Sequence, residues 1–107
     1  MAAVEPTEGA FVELLARDDS GPIIAITGEL DLGCVSTVRA GIDDYLVDGD
    51  QRVVFDVGKL TFMDSSGIAL LVQVANRVGT VQVRNATPVV QRVLEVTGLS
   101  GVFGIPS

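Results

Sequence analysis

The sequence predicts an α/β domain with a mixed, mainly parallel sheet of four to five strands, an N-terminal antiparallel strand and helices packed on the sheet. Two observations predict this class. Short runs rich in β-branched residues alternate along the chain with segments of helical period, and such alternation favours parallel crossovers. The 107 residues are 48% hydrophobic and 20% charged, which suits one domain with a core of its own.

The N-terminal part predicts a β-hairpin followed by a helix. Residues 11–17 and 23–27 have strand composition, and the turn cluster at residues 18–21 between them predicts an antiparallel pair. Residues 35–47 have helical period. Five apolar side chains of that segment fall on one helical face: Val35, Val38, Ile42, Tyr45 and Leu46.

The middle of the chain predicts a buried strand, a loop and a second helix. Residues 53–57 form a nearly continuous β-branched run, which is typical of a central strand covered on both faces. We predict a loop over residues 58–63. Helical period returns over residues 66–78, and Gly79 stands where a C-terminal cap glycine belongs.

The last third predicts one more strand–helix unit. Residues 81–84 alternate as a strand does. Thr87 followed by Pro88 is typical of an N-cap and a first helical position, and Gly98 is placed to end that third helix. Residues 102–105 are predicted to form a last short strand.

Composition excludes several kinds of chemistry. The chain has no His and one Cys, so it can build no catalytic unit that needs His, no intrachain disulfide and no Cys- or His-rich metal site. We therefore expect no cofactor and no metal. We expect Cys34 to be a small buried apolar residue rather than a reactive thiol.

The charge is unevenly distributed. Residues 1–50 carry eleven acidic and two basic side chains, whereas residues 51–107 carry three acidic and five basic ones, and the net charge is -7. Nucleic-acid binding needs clustered Lys and Arg, so this balance argues against it. We interpret the acidic half mainly as a solvated surface, which also permits a basic protein partner.

No targeting or membrane segment is predicted. Residues 1–9 contain two Glu and lack the basic start and apolar run of a signal peptide, so we expect a flexible lead before a single domain over residues 10–107. The apolar stretches are too short to span a membrane. These features, with a free Cys, favour the cytoplasm.

Two segments qualify as a functional site because they follow strands of an open α/β sheet. They are residues 27–31 and residues 60–67, and the second contains the adjacent hydroxyls of Ser65 and Ser66. A hydroxyl at a helix start usually caps the helix, although the same position also favours an anion. One serine suffices for a cap, so the second is surplus.

An enzymatic function has little support in these segments. Ser65 and Ser66 lack a nucleophile elbow and any His to activate them. Lys59 is the only lysine and has no S-x-x-K spacing. Three carboxylates could in principle hold magnesium, namely Asp31, Asp56 and Asp64, but Asp56 lies within a predicted strand.

The sequence resembles the STAS-domain anti-sigma-factor antagonists, a family of small bacterial regulators. The resemblance rests on residues 53–57 with Leu60-Thr61-Phe62-Met63-Asp64-Ser65-Ser66-Gly67, on Thr27-Gly28-Glu29-Leu30-Asp31, and on the segment from Pro88 to Leu99. These motifs stand in the family's order. The segment Leu32-Gly33-Cys34 departs from the pattern because it is more apolar than expected.

The resemblance implies a STAS fold and a partner-switching function. The domain would bind an anti-sigma factor that is also a serine kinase, and so release a sigma factor. That kinase would phosphorylate Ser65 and end the binding, and a PP2C-type phosphatase would restore it. The partner-binding residues predicted with it are Glu29, Asp31, Phe62, Met63, Asp64, Ser66 and Gly67.

Two alternatives remain open from the sequence. One is a STAS module that does not switch, such as a scaffold or a transporter-associated subunit. The other is an unrecognised enzyme, against which the missing His argues. Phosphorylation by a kinase would exclude the first, and catalytic turnover that depends on Ser65 would support the second.

Overall fold

The computed structural model describes residues 9–98. Seven elements follow in chain order: β1 (Ala10–Asp18), β2 (Gly21–Leu30), α1 (Val35–Tyr45), β3 (Arg52–Met63), α2 (Ser65–Val78), β4 (Thr80–Arg84) and α3 (Pro88–Val96). Residues 1–8 of the predicted lead and the strand predicted at residues 102–105 lie outside the described residues. The last residue of that lead, Gly9, accepts a backbone hydrogen bond from Glu29 at 2.9 Å.

The four strands form one sheet in the order β1-β2-β3-β4. β1 runs antiparallel to β2, while β2, β3 and β4 are parallel to one another. Helix α1 connects β2 to β3, and helix α2 connects β3 to β4. The predicted α/β class and mixed, mainly parallel sheet are therefore confirmed.

One face of the sheet carries the core. The ladder places Ile24, Phe55 and Val83 side by side on β2, β3 and β4, and all three are buried. All three helices add side chains to this cluster: Val38 and Ile42 from α1, Ile68, Leu70, Leu71 and Val74 from α2, and Val90 and Leu94 from α3. The described helices therefore cover this face alone, and the expectation that β3 is covered on both faces is wrong.

Within residues 9–98, no helix packs on the opposite face of the sheet. Val54 is 8% exposed there, beside Ile23 and Gln82. Arg84 donates to the Asp56 carboxylate at 3.1 Å. Desolvation raises the pKa of Asp56, but hydrogen bonds from a backbone N–H, from Arg84 and from an Asn amide outweigh it and lower the pKa below 3.8.

Strand β3 extends through the segment that was predicted as a loop. Residues 58–63 continue the ladder with β2, so that prediction is wrong. The ladder has two register shifts, and each inserts one extra residue in β3. Val57, Leu60 and Met63 therefore all face the core although they are three residues apart. Because these buried residues are three apart, the sequence does not show the two-residue alternation that identifies a strand.

The helix ends follow local chemistry. Gly79 caps α2 and Thr87 caps α3, both as predicted, with Pro88 as the first residue of α3. α1 ends at Tyr45, two residues before its predicted end. The N–H of Val47 instead donates to the Asp50 carboxylate at 2.9 Å, which takes this segment out of the helix.

The helices among residues 9–98 are short compared with the thickness of a membrane. The longest helix among residues 9–98 has 14 residues, fewer than the roughly 20 that cross a bilayer. No helix in this range is long and apolar enough to span a membrane.

Candidate functional site

The two segments singled out from the sequence lie next to each other. The ladder pairs Leu30 with Met63 and Glu29 with Phe62, at the carboxyl ends of β2 and β3. The backbone N–H of Asp64 then donates to the carbonyl of Leu30 at 3.2 Å. The strand ends that precede α1 and α2 therefore form one continuous surface.

Asp64 joins the two segments and begins helix α2. One carboxylate oxygen, Oδ1, accepts from the N–H of Ser66 at 2.8 Å, which is an N-cap hydrogen bond. The other oxygen, Oδ2, accepts from the N–H of Leu32 at 3.3 Å. The expectation that one of the two serines caps the helix is wrong, because Asp64 caps it. Both hydroxyls are surplus to the cap.

The two adjacent serines have different surroundings. Ser65 is the first residue of α2 and is exposed. It lines a groove between α2 and α3. Ser66 is half-buried and lines a second groove, between α1 and α2. Of the two hydroxyls, that of Ser65 is the more accessible to another protein.

Met63 and Gly67 support the site from inside. Met63 is 3% exposed and Gly67 is buried. A Cβ built on Gly67 would lie 2.5 Å from Cγ of Met63 and 3.0 Å from Cδ2 of Leu30. A glycine therefore lets the start of α2 sit directly on the two strand ends. Met63 and Gly67 were predicted to bind the partner, but both are buried and pack inside the domain.

Phe62 contrasts with its neighbour Met63. Its side chain alternates to the outside of the strand end and is 43% exposed. Leu32, one residue beyond the other segment, is 76% exposed. Leu32 is unexpectedly apolar in the sequence, but the predicted partner-binding residues do not include it. Its signal was an apolar side chain in a loop, and the two residues give the site exposed apolar area near both strand ends.

The acidic residues of the first segment are ordered by their own backbone. Asp31 is half-buried, and its Oδ1 accepts from the N–H of Gly33 at 2.9 Å. Glu29 is exposed. The thiol of Cys34 donates to the carbonyl of Glu29, with Sγ at 3.1 Å, and Cys34 is half-buried rather than fully buried as expected. The segment therefore presents an Asp31 carboxylate held by its own backbone and an exposed Glu29 side chain, both beside Gly9, Gly33 and Cys34.

The three carboxylates considered for magnesium do not come together. Asp31 and Asp64 lie at the strand ends, whereas Asp56 lies on the open face of the sheet and pairs with Arg84. Within residues 9–98 no group of three or more Asp, Glu, His or Cys side chains is placed to hold a metal ion.

Two replacements of Asp64 are expected to destabilise the domain to different degrees. Asp64→Asn keeps one acceptor oxygen for the cap, whereas Asp64→Ala loses both hydrogen bonds. The cap contributes about 1 kcal/mol, so Asp64→Ala is expected to melt about 4–8 °C below the wild type, with Asp64→Asn in between. Thermal unfolding followed by circular dichroism measures the order. Equal losses in the two variants would show that the cap is not the main contribution of Asp64.

Comparison with known proteins places this geometry in a family. The family model described as "Mlab, STAS domain" matches residues 13–105. The solved structure of the anti-sigma factor antagonist SpoIIAA in its unphosphorylated form is 26% identical, with a TM-score of 0.69, over 92% of this chain and 89% of that one.

Two further solved structures are similar. Bacillus SpoIIAA in its phosphorylated form is 25% identical with a TM-score of 0.62, over 92% of each chain. An anti-sigma factor antagonist from Mycobacterium paratuberculosis is 23% identical with a TM-score of 0.70, over 90% of this chain and 86% of that one, a likeness that concerns the fold. The match over residues 13–105, together with the α/β sheet and helix order, shows that the chain belongs to the STAS domain family.

Proposed function

We propose that the protein is an anti-sigma factor antagonist that phosphorylation at Ser65 switches off. In its unmodified form it binds an anti-sigma factor with serine kinase activity and so releases a sigma factor in the bacterial cytoplasm. The bound kinase phosphorylates Ser65, and the complex dissociates. A PP2C-type phosphatase then restores the binding form. The domain itself acts as a binder and a substrate, not as an enzyme.

The observation that carries this proposal is the position of Ser65. Its side chain is exposed at the first residue of a helix, and the helix does not need it, because Asp64 provides the cap. The Ser65 hydroxyl does not cap the helix and lies where two strand ends meet. A partner could therefore modify it without disturbing the fold. The existence of SpoIIAA in unphosphorylated and phosphorylated forms supports the same reading for a chain with its fold.

The fold can accept a phosphate at this position. A phosphoserine carries about -1.5 to -2 charges at pH 7, and the positive end of a helix dipole favours a negative charge by about 0.3–1 kcal/mol. The first turn of α2 contains no acidic side chain of its own, but the Asp64 carboxylate at the N-cap is adjacent and offsets part of this gain. Phosphorylation therefore alters the surface without a large cost in folding.

The partner-binding surface in this proposal combines exposed and supporting residues. Phe62, Glu29 and Asp31 offer contact area and charge, and Ser66 borders the modified residue. Asp64, Met63 and Gly67 act from below, since they hold the start of α2 against the strand ends. A partner shaped to a neutral hydroxyl and an apolar ring would lose affinity when a phosphate arrives.

The test is a phosphorylation screen. The purified chain is incubated with ATP and each candidate anti-sigma serine kinase, and the modified residue is mapped by mass spectrometry. We expect a single phosphate at Ser65 with one kinase, and none in a Ser65→Ala variant, while Ser66→Ala is still modified. A chain that binds such a kinase but is never phosphorylated would instead support a STAS module that does not switch.

A further inference from the structure

The groove between α2 and α3 is an apolar surface beside Ser65. It has a volume of about 420 Å³, and we call it the α2–α3 groove, lined by Ser65, Ile68, Val89, Arg92, Val93 and Val96. Val89 is 48% and Val96 79% exposed, although Ile68 on the floor is buried. The four valine and isoleucine side chains form a partly exposed apolar patch, and contact between this patch and water is unfavourable.

Arg92 takes part in none of the ion pairs among residues 9–98. Four arginines pair with carboxylates at 2.6–3.1 Å: Arg17 with Asp50, Arg52 with Asp18, Arg77 with Asp43, and Arg84 with Asp56. Among residues 9–98 the two arginines outside these pairs are Arg39 and Arg92, and both are exposed. In a chain with a net charge of -7, an arginine that remains without a carboxylate beside an apolar patch suits an acid from another molecule.

The two unpaired arginines lie on opposite sides of helix α2. Arg39 lines the α1–α2 groove, which also holds Ser66 and has a volume of about 240 Å³. Arg92 lines the larger α2–α3 groove, which holds Ser65. The α1–α2 groove also contains the polar side chains of Ser36 and Gln73, so it is the less apolar of the two.

We propose that the α2–α3 groove is the docking surface for the serine kinase that modifies Ser65, and that it takes an apolar segment of that kinase with an acidic side chain opposite Arg92. This inference rests on the proposed function. A kinase brings the reacting phosphate within about 3–3.5 Å of the Ser65 hydroxyl, so its surface reaches the edge of the groove that Ser65 lines. Arginine is enriched at interface centres, and the buried core of an interface is more apolar than the surrounding surface.

The experiment measures the dissociation constant of the unphosphorylated chain for the kinase found in the phosphorylation screen. Arg92→Glu is expected to weaken binding at least about tenfold, because it sets like charges against each other, and Val96→Ser about threefold to tenfold. Two matched controls lie away from both grooves. Lys59→Glu reverses an exposed cation on the open face of the sheet, and Val47→Ser removes an exposed valine between α1 and β3. Both controls are expected to stay within about twofold.

The design separates the groove from the switch itself. All four replaced side chains are exposed, and their melting temperatures are compared first so that a folding defect is visible. If the wild type is phosphorylated on Ser65 but Arg92→Glu and Val96→Ser bind as tightly as the controls, the docking proposal is wrong and the proposed function stands. If no kinase phosphorylates the wild type, the proposed function fails first.

A second readout identifies what occupies the groove. Amide chemical shifts of the labelled wild type are recorded with and without the kinase, and shifts confined to α2 and α3 support docking there. Groove variants that instead change the shifts of residues 99–107 in the free chain would assign the groove to this chain's own C-terminal residues and overturn the proposal.

Discussion

Replacing Ser65 with Asp is expected to weaken binding of the kinase by about 2 kcal/mol or more, which is about 30-fold in Kd. The variant places a carboxylate where the partner meets a neutral hydroxyl next to the apolar α2–α3 groove. A charge that loses its water in such a contact costs more than the hydroxyl it replaces, and the acidic side chain of the kinase proposed to face Arg92 in the same groove would repel it. Binding by calorimetry or surface plasmon resonance measures the loss.

The same replacement is expected to leave the fold intact. Ser65 is exposed and does not cap the helix, because the Ser66 N–H donates to the Asp64 carboxylate. The first turn of a helix favours a carboxylate by about 0.3–1 kcal/mol. We therefore expect the melting temperature of Ser65→Asp to equal or slightly exceed that of the wild type, so lost binding cannot be ascribed to unfolding.

Two control variants make the Ser65 result specific. Ser65→Ala removes the modified hydroxyl without adding charge, and it is expected to bind the kinase within about threefold of the wild type. Thr37→Asp adds the same carboxylate to an exposed position in the first turn of α1. It too is expected to keep binding. Equal affinities of Ser65→Asp and Ser65→Ala would contradict the switch.

The sequence predicted the parts of this fold that depend on local pattern. The run at residues 53–57 became part of the central strand, and Val38 and Ile42 share the buried face of α1. Thr87 and Gly79 cap their helices as predicted. Each of these features depends on residues within about two turns or one strand, so periodicity and capping preferences suffice to find it.

The features that sequence reasoning missed depend on contacts between distant segments. The two bulges of β3 exist to keep Leu60 and Met63 in a core that only the folded chain creates. The ion pairs of Arg77 with Asp43 and of Arg84 with Asp56 join residues 34 and 28 positions apart. The isolation of Arg92 becomes visible only once those pairs are known.

The site itself was predicted in outline and corrected in detail. The sequence predicts Asp31 and Ser65 in two loops. In the structure β2 continues to Leu30 and β3 to Met63, so adjacent strand ends bring the two segments together. The expected cap was one of the two serines, because a hydroxyl at a helix start usually caps the helix. Asp64, one residue earlier, has equal capping preference and two acceptor oxygens, which lets it cap the helix and bind Leu32 together.

Gly28 belongs to the motif that carries Glu29 and Asp31, yet its contribution is structural. Its φ of +104° lies in a region that side chains disfavour, and a Cβ there would lie 2.3 Å from the carbonyl oxygen of Gly9. The same carbonyl accepts from the N–H of Glu29. The absence of a side chain at Gly28 therefore allows the start of β1 to approach and fix the segment that leads into the site.

Gly28→Ala is expected to be among the most damaging single changes outside the core. The strained backbone costs about 1–3 kcal/mol, and the forced contact with Gly9 adds about 1–3 kcal/mol. Gly49→Ala is the matched control, because Gly49 has a φ of +94° but no atom within 4 Å of an added Cβ. It is expected to show the backbone cost alone. Urea unfolding of both variants measures the difference.

The difference between these two alanine variants isolates the close approach of β1. If Gly28→Ala loses more stability than Gly49→Ala and also weakens kinase binding, the contact at Gly9 both stabilises the fold and positions Glu29 and Asp31. If the two variants lose equal stability, the chain at Gly9 moves aside at no cost, and the steric argument is wrong. Full kinase binding by a destabilised but folded Gly28→Ala would limit its effect to stability, since an acidic segment that tolerates displacement cannot be setting the geometry of the interface.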